Sequence, residues 1–315
     1  MPRLTPPQRS LLDIPVATDL RSLAADIAVI GAPHGTPYAA SGDVAYDVAT
    51  DSAAGPAAIR DAANQTSSNI DHWDFDLDGP LLGPGLRLVD CGDIAGAPGD
   101  GPGNRAAIEA AVRAVLAAGA MPLLLGGDDS VPIPYLRAFE GRGPFTLVQI
   151  DAHIDWRDSI GGERDGYSST MRRASELPWI GRIVQIGMRG VGSARAAEVE
   201  AARAWGARIV TAEAVRRSGA EAVAAAIPTD LPVLITVDCD AFDPSVCPAV
   251  NAPTPGGLLF HEVAALVRGA ARGRRVAGFS IVELAPRHDV NGISAAAAAR
   301  LVLNLIGTVA RNGAG

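Results

Sequence analysis

Cysteine is scarce: Cys91, Cys239 and Cys247 are three in 315 residues, and no pair has CxxC spacing. An odd number without paired spacing argues for reduced thiols, and the cytoplasm fits that best. Runs rich in basic residues are also missing. With 35 acidic against 27 basic side chains the formal net charge is −8, and nothing resembles a stripe that tracks a phosphate backbone, so nucleic acid is not an expected partner. The N-terminal stretch Met1–Ser10 has no apolar core after its basic residues, and no later apolar run reaches the roughly 18 residues of a membrane span. Neither export nor a membrane partner is expected. Linker-like Pro/Ser tracts and internal repeats are absent too, which leaves one domain over residues 27–315 preceded by an arm over 1–26. Its first ten residues are read as mobile or partner-docking.

What is present is a chain that is 48% hydrophobic and long enough to bury a large core. Short runs without polar alternation, the pattern of strands covered on both faces, occur at Ile27–Gly31, Leu86–Asp90, Pro122–Gly126, Phe145–Ile150, Arg182–Gly187, Arg208–Thr211, Pro232–Val237 and Val276–Val282. Between them lie Ala-rich helical stretches at Gly103–Gly119, Ser193–Gly206, Ala212–Ile227, Phe260–Arg272 and Ser294–Ala310, several closed by glycine. Strand alternating with helix predicts an α/β fold, a mostly parallel sheet between two helical layers. Pro37–Ala53 and Asp71–Gly85 read as loops.

Ligands of such sheets sit at the carboxyl ends of the strands, and there the acids gather. Asp151, His153 and Asp155 follow one run at a period of two, which puts all three on one side of an extended chain. Asp238 and Asp240 do the same after another run, and Pro244 ends that stretch. Asp129, in Gly-Gly-Asp-Asp-Ser, makes a sixth donor. Asp128 or Asp129 alone would read as a helix cap, and a lone histidine as a hydrogen-bonded core residue. Capping does not produce DxHxD and DxDxxDP at two separate strand ends. Five carboxylates and one imidazole around one pocket require cations, and hard oxygen donors suit Mn²⁺ better than Zn²⁺. Asp151 and Asp238 are candidates to bridge two ions and so activate a water between them.

GGDDS, DAHID and DCDAFDP, in that order and spacing, resemble the signature motifs of the ureohydrolases, the arginase and agmatinase family of binuclear manganese hydrolases. GAPHGT, GPAAIR, LVDCGDI and PAVNAPTPGGL are similar to further family segments, so the likeness runs from Ile27 to Ile306. The resemblance implies a doubly wound three-layer sheet of about eight strands, and two Mn²⁺ with Ni²⁺ as the alternative. It assigns one ion to Asp129, Asp151, Asp155 and Asp238 and the other to Asp151, His153, Asp238 and Asp240. A bridging hydroxide would attack the guanidinium carbon of the substrate, with Glu283 as the carboxylate that pairs with the guanidinium. It further implies a trimer or hexamer.

Two departures stand out. Asp129 occupies the place of a ligand histidine, and the family's proton-shuttling histidine is replaced by Ser168 or Ser169. A second acid on the metal raises the pKa of bound water, and loss of a general acid commonly costs about 10²–10⁴-fold unless replaced. His34 and Tyr167 are the candidate substitutes, although a loop histidine is more often solvent-exposed; Trp156 with Arg157 are expected at the substrate entrance, with packing and a surface ion pair as the alternative. His72, His261 and His288 receive no role. The segment after DAHID lacks the Asn-containing pattern of arginases, so agmatine is the expected substrate, ahead of guanidinobutyrate, guanidinopropionate and other alkylguanidines. The rival expectation is a catalytically weak metal-binding homologue that serves as a partner subunit.

Overall fold

A computed structural model of the chain describes residues 2–36, 38, 51–82, 85–97 and 99–312. Eight parallel strands form the central sheet: β2 (Ile27–Ala32), β5 (Leu88–Ile94), β6 (Met121–Gly126), β7 (Phe145–Ile150), β8 (Ile180–Met188), β9 (Arg208–Thr211), β10 (Val233–Asp238) and β11 (Val276–Val282). A two-residue strand, β1 (Leu4–Thr5), adds an antiparallel edge, and the spatial order is β1-β5-β2-β6-β11-β10-β7-β8-β9. The remaining pair, β3 (Trp73–Asp74) and β4 (Gly79–Pro80), is a small separate hairpin in the stretch read as loop. Arg300 pins it by hydrogen bonds of 2.6 Å to both carboxylate oxygens of Asp74.

Alternate side chains of each strand serve different cores. Val29, Leu123, Leu125, Val148 and Ile150 face one layer, while Ala28, Ile30, Leu124 and Leu147 face the other. Burial on both faces is why the strand sequences do not alternate. One layer holds α1 (Gly55–Ala63), α6 (Ala212–Ser218), α7 (Ala220–Ala225), α8 (Phe260–Ala271) and α9 (Ile293–Asn312). The other holds α2 (Gly101–Ala117), α3 (Pro132–Arg137), α4 (Thr170–Ala174) and α5 (Ala196–Trp205).

Three expectations change. The single helix read over Ala212–Ile227 is broken at Gly219, whose φ of 84° lies outside the helical range and is cheap only for glycine. The N-terminal segment lies on the chain's own body: Leu4 and Thr5 pair with Ile94 and Asp93, and Leu11 and Leu12 are buried in the core. Helix α9 is long and apolar enough to cross a membrane by composition alone, against the reading that no run is. Two thirds of it, 67%, is buried inside the fold, where it packs as a core helix. Of the stretch Pro37–Ala53, residues 37 and 39–50 lie outside the described residues.

The chain order positions the site. After β6 the chain skips over two strand positions to reach β7, and β10 and β11 return later to fill the gap. Four neighbouring strands, β6, β11, β10 and β7, therefore end side by side, and each end carries an acid: Asp129, Glu283, Asp238 and Asp151.

Candidate metal centre

The turn after β6 separates two adjacent acids. A Cβ on Gly127 would lie 1.8 Å from the His34 carbonyl oxygen, so only glycine allows this close pass. Asp128 is used up in holding the turn: it accepts the Ser130 and Thr36 N–H groups at 3.0 Å each and the Ser130 hydroxyl. Asp129 faces the other way. Its backbone N–H donates to Glu283 Oε1 at 2.9 Å and its carbonyl accepts the Thr170 hydroxyl, yet both carboxylate oxygens are buried with no hydrogen-bond partner among the described residues. A buried, unpartnered carboxylate is costly, and a cation is the partner its chemistry calls for.

Beside it, one donor atom from each of Asp129, Asp151 and Asp238 falls within 4.8 Å of the others, and one from each of Asp151, His153 and Asp240 does the same. The two groups share Asp151. Asp238 accepts the Asp240 N–H at 2.7 Å, and Asp240 takes the Ala152 N–H at 3.1 Å and meets His153 Nδ1 at 3.0 Å. Asp151 accepts the His153 N–H at 2.6 Å. Such bonds leave lone pairs free, since each carboxylate oxygen can accept more than once. Asp155 belongs to neither group but lines the same cavity, which measures about 270 Å³. Glu283 and Asp155 hold left-handed backbone conformations, φ 64° and 44°, that are strained for side chains of their kind.

Electrostatics describe the same deficit. Burial, then the charges of neighbouring carboxylates, push Asp129, Asp151, Asp238 and Glu283 well above the ordinary carboxylate range. Burial likewise lifts Asp155 to about 6. For His153 burial acts downward, but the hydrogen bond to Asp240 and the charges of Asp240 and Asp155 raise it to about 9. Among the described residues no Arg lines the cavity. Arg189 comes near and is tied instead to the carbonyls of Asp240, Phe242 and Thr254. The donor set and the orphaned Asp129 thus fit a pair of hard divalent cations.

The cavity brings together Asp129, His153, Asp155, Asp238, Asp240, Glu283 and Tyr167 of the sequence candidates, with Asp151 at its base. Three others, His34, Trp156 and Arg157, lie elsewhere. The His34 ring is buried, and its Nε2 donates to the Ile94 carbonyl at 2.8 Å, away from this cavity. Burial holds its pKa below the usual value, which favours the neutral ring. Trp156 is 2% exposed and packs edge-on against Trp205 at 6.2 Å, inside the core and not at an entrance. Its neighbour Arg157 reaches the Ser193 carbonyl at 2.8 Å and does not line the cavity either. Asn251 and Thr254, which do, lie in the segment Pro248–Leu258 that resembles the family's active-site loop, whereas Ser193, which also does, was not singled out. Gln149 was also missed, although an amide inside the apolar run Phe-Thr-Leu-Val-Gln-Ile was a readable signal.

The arginase family matches residues 25–307. The proclavaminate amidinohydrolase of Streptomyces clavuligerus is 33% identical over 91% of this chain and 88% of its own length. Its solved structure superposes with a TM-score of 0.84 and 29% identity, covering 99% of this chain and 100% of that one. An agmatinase of Enterobacter sp. is 33% identical over 86% of this chain and 88% of its length. A guanidinobutyrase of Pseudomonas aeruginosa is 32% identical over 70% of each. With a strand-end acid cluster of this kind and matches that span nearly the whole fold, the chain belongs to the arginase family.

Proposed function

We propose that this protein hydrolyses a guanidino compound, agmatine or a close relative, to urea and an amine at a centre of two Mn²⁺ ions, with Ni²⁺ as the alternative. The observation that carries the reading is Asp129, whose two buried carboxylate oxygens have no hydrogen-bond partner among the described residues. One ion would be held by Asp129, Asp151, Asp155 and Asp238, the other by Asp151, His153, Asp238 and Asp240. When bound, the ions supply Lewis acidity and a water made nucleophilic near neutral pH.

The chain's own groups do the rest. Glu283, next to Asp129 at the sheet centre, offers a carboxylate to a planar guanidinium, a pairing strengthened by burial and by its fork geometry. Its Oε1 is oriented by the Asp129 N–H at 2.9 Å, which keeps the carboxylate in the cavity. Val191, Val250, Ala252 and Thr254 form walls that suit an alkyl chain. No arginine is among the described lining residues to meet a carboxylate tail, which favours the cationic tail of agmatine over guanidinobutyrate. With His34 turned away, the Tyr167 and Ser168 side chains at the cavity are the candidates to hold and pass a proton. The three free, buried cysteines support a reducing, cytoplasmic setting, and a trimer or hexamer is part of the same proposal by family likeness.

Urea release from agmatine, guanidinobutyrate and guanidinopropionate, measured with Mn²⁺ or Ni²⁺ supplied, tests this directly. Turnover of agmatine is expected to lead. Two bound ions with no urea from any of the three would leave the metal-binding partner subunit. Glu283→Gln is expected to lower kcat/KM by about 10²-fold or more, as for one lost partner of a buried charge pair, with ion content unchanged. Equal kcat/KM would return Glu283 to a structural role.

A further inference from the structure

Below the acid cluster, on β7 and β8, two glutamines face each other across the ladder: Gln149 and Gln185 are register partners, and both are 0% exposed. Gln149 lies two residues before Asp151, so the two side chains leave the strand on the same side. Its Nε2 donates to Asp151 Oδ2 at 2.7 Å and to Asp155 Oδ2 at 2.6 Å. Its Oε1 accepts from Gln185 Nε2 at 2.6 Å, and that same nitrogen donates to the Ile154 carbonyl at 2.8 Å.

The direction of this chain is forced. Ionised carboxylates only accept, so the amide nitrogen of Gln149 must face Asp151 and Asp155, and its oxygen must face the donor on Gln185. The reverse orientation would set an amide oxygen against two carboxylates and a nitrogen against a nitrogen. Gln185 in turn is held by the carbonyl of Ile154, the residue just before Asp155. The short loop from Asp151 to Asp155 is therefore tied to β7 and β8 at the points where it carries its acids.

We propose that Gln149, oriented by Gln185, is a positioning residue that clamps Asp151 and Asp155 together and so sets the affinity of the centre for its divalent cations. The inference rests on the metal reading above. An apolar side chain would fill the same space between two strands. It would supply neither N–H, and two buried carboxylates would be left to splay apart under their own repulsion. The amide neutralises nothing, but it holds the carboxylates close without adding a positive charge that would compete with a cation. Outer partners of this kind commonly control metal affinity as ligands do.

The test uses the full-length protein stripped of metal with a chelator, with Mn²⁺ alone as the probe. Titration calorimetry gives affinity and stoichiometry, and circular dichroism reports the fold. Gln149→Met, close in shape but without donors, is expected to bind Mn²⁺ about 10- to 100-fold more weakly than wild type while keeping its secondary structure. A folded Gln149→Met protein with an affinity within about twofold of wild type overturns the clamp and leaves the metal centre standing. A wild-type protein that takes up no Mn²⁺ overturns both. If Gln149→Met does not fold, Gln185→Met decides, because it keeps the Gln149 amide and removes the donor that orients it, together with the tie to Ile154. A several-fold loss of Mn²⁺ affinity supports the clamp, and unchanged affinity overturns it.

Discussion

At the β5 end of the sheet, Asp90 is fully buried, and Arg60, itself 1% exposed, meets both of its carboxylate oxygens at 2.8 and 3.0 Å and reaches Asp93 at 2.6 Å. At the centre of the same sheet, Asp129, Asp151, Asp238 and Glu283 meet with no guanidinium among the described residues that line their cavity. The chain has no lysine, so each of its 27 basic groups is an arginine, and it brings one to bear where a buried acid has a structural task. Asp90 also accepts the Leu11 N–H at 2.9 Å, which ties the N-terminal segment to β5. One cluster is complete within the polypeptide. The other is complete only with cations from outside, and that difference separates a structural use of buried charge from a functional one.

Breaking the complete cluster should cost most. Arg60→Met leaves Asp90 buried and unpaired, and a loss of about 3–5 kcal/mol is expected in denaturant melts, with or without Mn²⁺. Equal stability would mean that Asp90 is held by its backbone donors alone. The incomplete cluster should respond to pH instead. The folded state raises Asp155 from 3.8 to about 6, so it holds that proton more tightly than the unfolded chain does. Its contribution to stability is full below 3.8 and is lost as pH rises through about 6. Cations should restore what is lost. The Mn²⁺-induced rise in Tm is therefore expected to grow with pH across that window, measured by calorimetry in saturating Mn²⁺ and in chelator. A constant increment would contradict the charge deficit. The smallest effect carries the opposite sign to the first: Asp129→Asn removes an unpaired buried charge, and the metal-free protein should melt about 2–4 °C higher while binding Mn²⁺ more weakly. A lower Tm would show that the carboxylate has a partner inside the chain.

Much of this was legible beforehand, for reasons that can be named. Phe145–Ile150 and Val276–Val282 were readable to the residue because a strand buried on both faces is a mostly apolar run bounded by polar or turn residues. Asp151, His153, Asp238 and Asp240 were readable because local spacing alone puts them on one side of a strand end. For Trp156 and His34 the alternatives stayed open in the sequence, because a position near a motif says nothing about which way the side chain points. The Trp156 ring turns into the core, and the His34 ring spends its N–H on Ile94. Gln149 was missed because its partners, Asp155 and Gln185, are six and 36 positions away, and only the β7–β8 ladder brings the second of them close.

By itself the sequence determined the alternation of strand and helix, the acid motifs and the family likeness, all carried by short-range patterns of polarity and spacing. Tertiary structure decided that β10 and β11 enter between β6 and β7, so that acids more than a hundred residues apart, Asp129 and Glu283 among them, share one cavity. It also decided that Asp128 is satisfied while Asp129 is not. Strand order and the pairing of a buried carboxylate both depend on groups distant along the chain, and no local pattern encodes which of two neighbouring acids will find a donor.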